Sequence, residues 1–249
     1  EYLRLPEQVE GIRIDAGVRS GDEVSPYYDA LLGKLVAHGP TRAEAVARLR
    51  AALGACRVVG VTTNLAFLER LVASRAFVEA DLDTALIERE RAVVWPPRAT
   101  PPAIAWLAAA VAEAGGRPSA AASPGAQGDG WRPVGRARRS IELECAGLRA
   151  MVEVEWRAGG WSLSYAGERC LASAKWRDAV TLDLEVDGRC EAIGAVRTDD
   201  AWHLFLDAGR FVIQPHDPLA PRAAAGAAEG HLRAPRPRRG AEVLAGPGR

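Results

Sequence analysis

The chain has 249 residues, 48% of them apolar and 26% charged, an ordinary globular balance with room for one large domain or two small ones. Acidic and basic residues match at 32 each, so no global field recruits nucleic acid or an anionic membrane, and no apolar run reaches transmembrane length. Four scattered cysteines, Cys56, Cys145, Cys170 and Cys190, show no ligand spacing and point to neither a zinc site nor a disulfide framework.

The opening "EYLRLPEQVEG" lacks the plan of a signal peptide, which makes the cytoplasm the expected compartment. It reads as entry in mid-domain, because a strand follows almost at once. "GIRIDAGV" sets Ile12, Ile14 and Ala16 against Arg13, Asp15 and Gly17, the period of a half-buried strand, and "SGDE" is a turn. "ALLGKLVAHG" is an apolar strand interrupted by Lys34, one of only two lysines (with Lys175) among the 32 basic residues. "TRAE" is a capping box with Thr41 as N-cap and Glu44 three residues on. The helix that follows places Val46, Leu49 and Leu53 on one face. "RVVGV" reads as a short buried strand, and a second helix starts at Thr63 or Asn64 and carries Leu65, Leu68 and Leu71. This first part, residues 1–92, is an α+β piece too short to be a whole nucleotide-binding domain.

Proline punctuation near residue 97 leads into "AIAWLAAAVAEA", a helix apolar all round in which only Glu113 is charged. Such a helix must be buried on every side. The run from Arg117 to Gly128 reads as a mobile loop. Beyond it, "SIELEC", "RAMVEVEW", "GWSLSYA", "VTLDLEV", "CEAIGAV", "WHLFLD" and "RFVIQP" alternate apolar and polar residues between the turn signals "AG", "AGG", "DG", "TDD" and "DAG". A meander of about eight strands escapes its edge problem by closing. The expected fold is therefore α+β: an N-terminal α+β piece, then an antiparallel β-barrel of about eight strands around the apolar helix, spanning 93–221, and a flexible tail from 222 to 249.

The stretch from "GIRIDAGVRSGDEVSPYYDALLGKLVAHGPTRAEAV" through "DTALIERE" resembles the C-terminal domain of biotin carboxylase. The barrel, through "DGWR", "WHLFLDAGRF" and "DPLAP", is similar to the domain that joins the α and β subunits of methylcrotonyl-CoA carboxylase. The tail "LRAPRPRRGAEVLAGPGR" resembles the start of a biotinyl carrier domain, with Arg236, Arg238 and Arg249 where the family has methionine, glycine and aspartate. The resemblance implies the α subunit of a biotin-dependent acyl-CoA carboxylase, a ligase that carboxylates biotin with ATP and Mg2+ and passes the carboxyl group on through a carboxyltransferase β subunit. It also implies homodimer contacts through the biotin carboxylase domain, but no nucleic-acid or membrane partner. The acyl-CoA favoured by the barrel type is 3-methylcrotonyl-CoA, then geranyl-CoA, with propionyl- and acetyl-CoA further off. The ATP-grasp region and the carrier lysine between methionines have no counterpart in this sequence. The chain is thus expected to be an interior piece or a truncated product, without ATP turnover or biotinylation of its own.

On the family's motif, Arg13 takes the place of the arginine that faces the biotin ureido group and stabilises its enolate. A permanently charged fork with paired donors suits a developing oxyanion; the bland reading is an exposed strand arginine in a salt bridge. Leu82 and Thr84 match the segment beside the adenine pocket, or else belong to a loop leaving the domain. Asp22 and Glu23 lack a third ligand and read as a solvated turn rather than a metal pair, so no metal ligands are assigned. Tyr27, Tyr28 and Asp29 are expected to brace the active-site wall without taking part in chemistry. His203 alternates with Leu204 and Leu206 and reads as a strand residue, not a ligand. Arg236, Arg238 and Arg239 read as a flexible basic tail, and Trp131 as a candidate interface anchor. Two further readings stand beside the carboxylase: a scaffold that binds the β subunit without chemistry, and a nucleic-acid binder, which the zero net charge disfavours.

Overall fold

In the first part of the chain, short alternating runs give strands too few to make a layer by themselves. They are β1 (Tyr2–Arg4), β2 (Ile12–Ala16), β3 (Gly33–Ala37) and β4 (Arg57–Val59). The strands pair only two by two and antiparallel, β1 with β4 and β2 with β3. Their support is helical: α1 (Arg42–Ala55) and α2 (Leu65–Ala73), then the single turns α3 (Arg75–Val78), α4 (Leu86–Arg89) and α5 (Arg91–Val94). Thr41 caps α1 as expected, its hydroxyl accepting from the Glu44 N–H at 3.3 Å. Val46 and Leu53 from α1, Cys56, and Leu65 and Val72 from α2 form the core, with Leu35, Leu49 and Leu68 packed against it. Val72 takes the place expected for Leu71, which is only half-buried. The computed structural model describes residues 2–6, 9–24, 27, 31–115 and 135–216. Tyr28, Asp29, the run from Arg117 to Gly128 expected as a loop, Trp131, and the residues Arg236, Arg238 and Arg239 lie outside them.

The second part begins with α6 (Ala103–Gly115), whose residues from Ala105 to Ala112 are all buried. Around it close β5 (Arg138–Cys145), β6 (Leu148–Arg157), β7 (Gly160–Tyr165), β8 (Glu168–Trp176), β9 (Thr181–Val186), β10 (Arg189–Arg197), β11 (Trp202–Leu206) and β12 (Gly209–His216). Each strand pairs antiparallel with the next, and β12 pairs back onto β5 through Gln214, Pro215 and His216. Closure leaves no free edge. An eight-stranded barrel has an interior sized for side chains alone. A helix fits there only if it is thin, which explains Ala105, Ala108, Ala109, Ala110, Ala112 and Ala114. The wall fills the rest with Leu143, Val152, Leu163, Leu184, Ile193, Leu204 and Ile213. Glu113, the lone charge of the helix, lies near its end, where the Trp202 indole donates to it at 2.9 Å. Arg197 and Arg139 stand 3.7 and 3.9 Å from the same carboxylate.

The hairpins use the turn chemistry that the sequence signals. Asp187-Gly188 has positive φ at both positions, the two-residue form whose twist matches its strands. Gly160 is required for another reason: a Cβ there would lie 2.2 Å from the Ala172 carbonyl oxygen on β8. The barrel also touches the first unit. Val59 packs on Val196 and Phe205, the Arg57 guanidinium lies 4.9 Å from the centre of the Phe205 ring, and Arg210 pairs with Glu69 at 2.5 Å.

Candidate functional site

The β2–β3 ribbon sorts its side chains by strand period. Register places Arg13 opposite Val36 and Asp15 opposite Lys34, so these four share one face. All four are exposed. Strand alternation, not a special need for lysine, is enough to explain why Lys34 interrupts an apolar run. On this face Arg13 is 71% exposed along its side chain, and its Nη2 donates to Asp15 Oδ2 at 3.2 Å. The Asp15 carboxylate anchors one edge of the guanidinium. A fork held on one side and open on the other can present donors to an incoming oxyanion, provided water is later excluded.

The anchoring beneath Arg13 differs from the expectation. Ile12 and Ile14 are half-buried and stand outside the side chains that form the first unit's core; Leu35 of β3 makes that contact. A two-residue apolar stripe on a two-stranded ribbon cannot seal itself from water, so β3 and α1 hold β2 in place. Tyr27 is 78% exposed. Asp22 accepts from the Arg19 N–H at 2.8 Å and closes its own turn, with Glu23 exposed beside it.

Leu82 and Thr84 lie on the loop between α3 and α4. Arg89 staples that loop, reaching Asp83 Oδ2 at 2.6 Å, the Asp81 carbonyl at 3.0 Å and the Asp81 carboxylate at 3.2 Å. Asp83 also accepts from the Ala85 N–H at 3.0 Å. The loop is therefore shaped, and it presents Leu82 half-exposed and Thr84 exposed. Its partners and those of Arg13 are separate, so each belongs to its own small network. A cleft of about 440 Å³ between the β1–β4 pair and the turn from Val18 to Val24 does not include Arg13, Leu82 or Thr84 among its lining residues.

Burial pushes the thiols of Cys56, Cys145 and Cys170 up, away from thiolate character. His203 faces a cavity of about 440 Å³ between β4 and the barrel, with Thr198 Oγ1 3.5 Å from its Nε2. Among the described residues no group of three His, Cys, Asp or Glu side chains is placed to hold a metal ion. The Arg210–Glu69 pair joins residues far apart in the chain, which no local sequence pattern records.

Residues 1–89 match the family model of the biotin carboxylase C-terminal domain, and residues 101–218 match that of the BT domain of the methylcrotonyl-CoA carboxylase α-subunit. The methylcrotonoyl-CoA carboxylase α subunit of Dictyostelium discoideum is 37% identical over 98 residues, 39% of this chain and 14% of that protein. The propionyl-CoA carboxylase α chain of Caenorhabditis elegans is 42% identical over 79 residues, 32% of this chain and 11% of that protein. The biotin carboxylase subunit of pyruvate carboxylase is a solved structure that matches 39% of this chain and 22% of its own at 33% identity, with a TM-score of 0.37. The matched stretch is thus a small part of each relative. Matches to two domain-family models thus stand in tandem in one chain, the biotin carboxylase C-terminal domain over residues 1–89 and the BT domain of the methylcrotonyl-CoA carboxylase α-subunit over residues 101–218.

Proposed function

We propose that this chain is part of the α subunit of a biotin-dependent acyl-CoA carboxylase of the cytoplasm. In this reading the unit through about residue 92 contributes to biotin carboxylation, the barrel docks a carboxyltransferase β subunit, and the tail from 222 leads toward a carrier domain. The observation that carries it is the tandem order of the two domain families in one chain. The barrel family's description supports 3-methylcrotonyl-CoA as the acyl-CoA. Propionyl-CoA is the competing substrate because a propionyl-CoA carboxylase α chain is similar to part of this chain as well. Contacts between two biotin carboxylase domains belong to the same proposal.

The residues present fit the biotin part of this chemistry better than the nucleotide part. Biotin, brought by a carrier, would supply the ureido oxygen on which negative charge develops. The free edge of the Arg13 guanidinium would donate to that oxygen, and Asp15 would hold the other edge. Leu82 and Thr84 offer one apolar contact and one hydroxyl, and the charges beside them, Arg89, Asp81 and Asp83, are paired with one another, so this loop forms at most the rim of an ATP site. The chain by itself is accordingly assigned no bicarbonate- and biotin-dependent ATP hydrolysis.

The test uses the complete α subunit. Arg13→Ala should lower biotin carboxylation by about 10²–10³-fold, the usual cost of one preorganised donor, while nucleotide affinity changes little. Arg13→Lys should restore only part of the rate, since an ammonium keeps the charge but not the paired donors. A wild-type rate in Arg13→Ala would remove Arg13 from the chemistry. The 71% exposure of Arg13 favours one second reading, in which the chain is a scaffold that binds the β subunit and catalyses nothing. That outcome would show as β-subunit capture together with indifference to Arg13.

A further inference from the structure

Glu155, on the outer surface of β6, is only 8% exposed, and three arginines converge on it. Arg136 Nη1 and Arg138 Nη2 reach its two oxygens at 3.0 Å each, and Arg157 Nη2 lies at 3.5 Å. One carboxylate needs one guanidinium for neutrality, so these three arginines exceed Glu155 by two charges; Glu153, exposed on the same face of β6, offsets one of them. The register explains the shape around it. Arg138 and Ser162 flank Glu155 on the neighbouring strands, while Ser140 and Ser164 flank Glu153, with Arg169 opposite Ser164. Serines on β7 between long side chains on β6 and β8 leave a trough, a cavity of about 140 Å³ lined by Arg138, Arg139 and Arg169 together with Glu153 and the neutralised Glu155. That is room for one or two extended side chains.

The imbalance extends over half the barrel. Residues 136–176, which carry β5 to β8, hold seven basic and five acidic side chains, whereas 177–216, which carry β9 to β12, hold four basic and eight acidic. The balanced charge of the whole chain therefore hides a polar barrel. We infer that the trough across β5 to β8 is a docking site for an acidic segment of a protein partner, with Arg138 and Arg169 receiving its carboxylates. The planar arginine fork suits carboxylates in pairs, and a trough running across strands suits an extended segment. The inference deepens the docking role proposed above and rests on it for the identity of the partner.

The test titrates this chain with the cognate carboxyltransferase β subunit and, separately, with hexaglutamate as a minimal acidic probe, at low and high salt. The Arg138→Glu/Arg169→Glu pair leaves Arg136 and Arg157 to neutralise Glu155. It should weaken both interactions at least about 10-fold at low salt, and by less at high salt, where screening already weakens the wild type. If the reversed pair fails to fold by thermal melting, Arg138→Gln/Arg169→Gln carries the test with a smaller loss in the same direction. Undiminished binding of the β subunit by the folded variant overturns the site while leaving barrel docking intact. Arginine-dependent binding of hexaglutamate without any binding of the β subunit keeps the site and removes the partner. Displacement of hexaglutamate by equimolar orthophosphate would mean a small-anion site and overturn the proposal. So would sedimentation data showing that the reversal breaks a dimer of this chain.

Discussion

Among the largest fully buried side chains, Leu143, Leu163, Leu182, Leu184, Ile193, Leu204 and Ile213 all belong to the barrel, while the unit before it contributes only Val94 and Cys56. The contrast follows from topology. A closed barrel satisfies every strand on both sides and seals a helix within, so each inward residue meets protein from all directions. The first unit has two ribbons of two strands, a form that is marginal in water without further cover. Its candidate catalytic arginine sits on the less protected of these, facing solvent. In a chain built this way, rigidity and the proposed chemistry reside in different parts: the barrel is a self-sufficient body, and the Arg13 face is a surface whose dielectric is set by whatever covers it.

The strongest way to break this comparison is to place a charge in each part. Ala109→Asp puts an unpaired carboxylate at a position with no exposure, at a cost of about 3–5 kcal/mol, enough to unfold the barrel. Ile14→Asp, in the half-buried stripe of β2, should cost only about 1 kcal/mol. Equal losses in urea melts would mean that the two parts are equally packed. The next largest effect belongs to the junction. Arg210→Ala removes a charged hydrogen bond to Glu69 and should cost about 1–2 kcal/mol. It should also separate one melting transition into two, because Val59, Val196 and Phe205 would then be the main remaining link. A single undivided transition would show that the apolar contact, with Arg57 over the Phe205 ring, is enough to couple the units.

These differences also decide what was legible in the sequence. The barrel could be read because period-two alternation and paired turn residues recur along it, and the apolar helix demanded an enclosure. Seven of its runs stood out; β8 did not. Of its inward residues Cys170, Ala172 and Ala174 are small and only Trp176, at the end, is large, while Leu171 points outward, so the apolar signal along Glu168–Trp176 is weak. In the first unit the capping box at Thr41 was readable because it is local. The strand β1 and the one-turn helices α3 to α5 were not, since three or four residues carry no period. Arg13 was picked out by its motif, and its exposed face by alternation. That Ile12 and Ile14 lack a full core beneath them depends on how many strands assemble, which no local pattern records.

A smaller perturbation tests whether the first unit rests on local devices. Thr41→Ala deletes the hydroxyl that accepts from the Glu44 N–H, at a cost of about 1 kcal/mol. Hydrogen exchange should speed up in α1 and leave β5 to β12 unchanged. Faster exchange in the barrel as well would mean that the two units share one cooperative unfolding event.

The smallest effect concerns pH and the barrel's outer face. The Arg136 hydrogen bond, helped by the charges of Arg138 and Arg157 and opposed by burial, holds the Glu155 carboxyl below the usual carboxylate range. A carboxyl whose folded pKa is depressed binds protons more readily in the unfolded chain. Its stabilisation is therefore complete above the ordinary glutamate value of about 4.3 and is lost as pH falls through the folded value. Glu155→Gln keeps the shape but removes the charge. The stability difference between wild type and variant should be constant from neutral pH down to about 5 and then shrink steadily in more acidic urea melts. The change should be small because Arg136 and Arg138 are largely open to water and share one acceptor, so screening weakens each attraction. High salt should shrink it further. A gap that stays constant into strong acid would mean that Glu155 contributes through packing on Ser162 rather than through charge. The arginines above it would then be bound by nothing stronger than proximity, leaving them still freer to meet a partner's carboxylates.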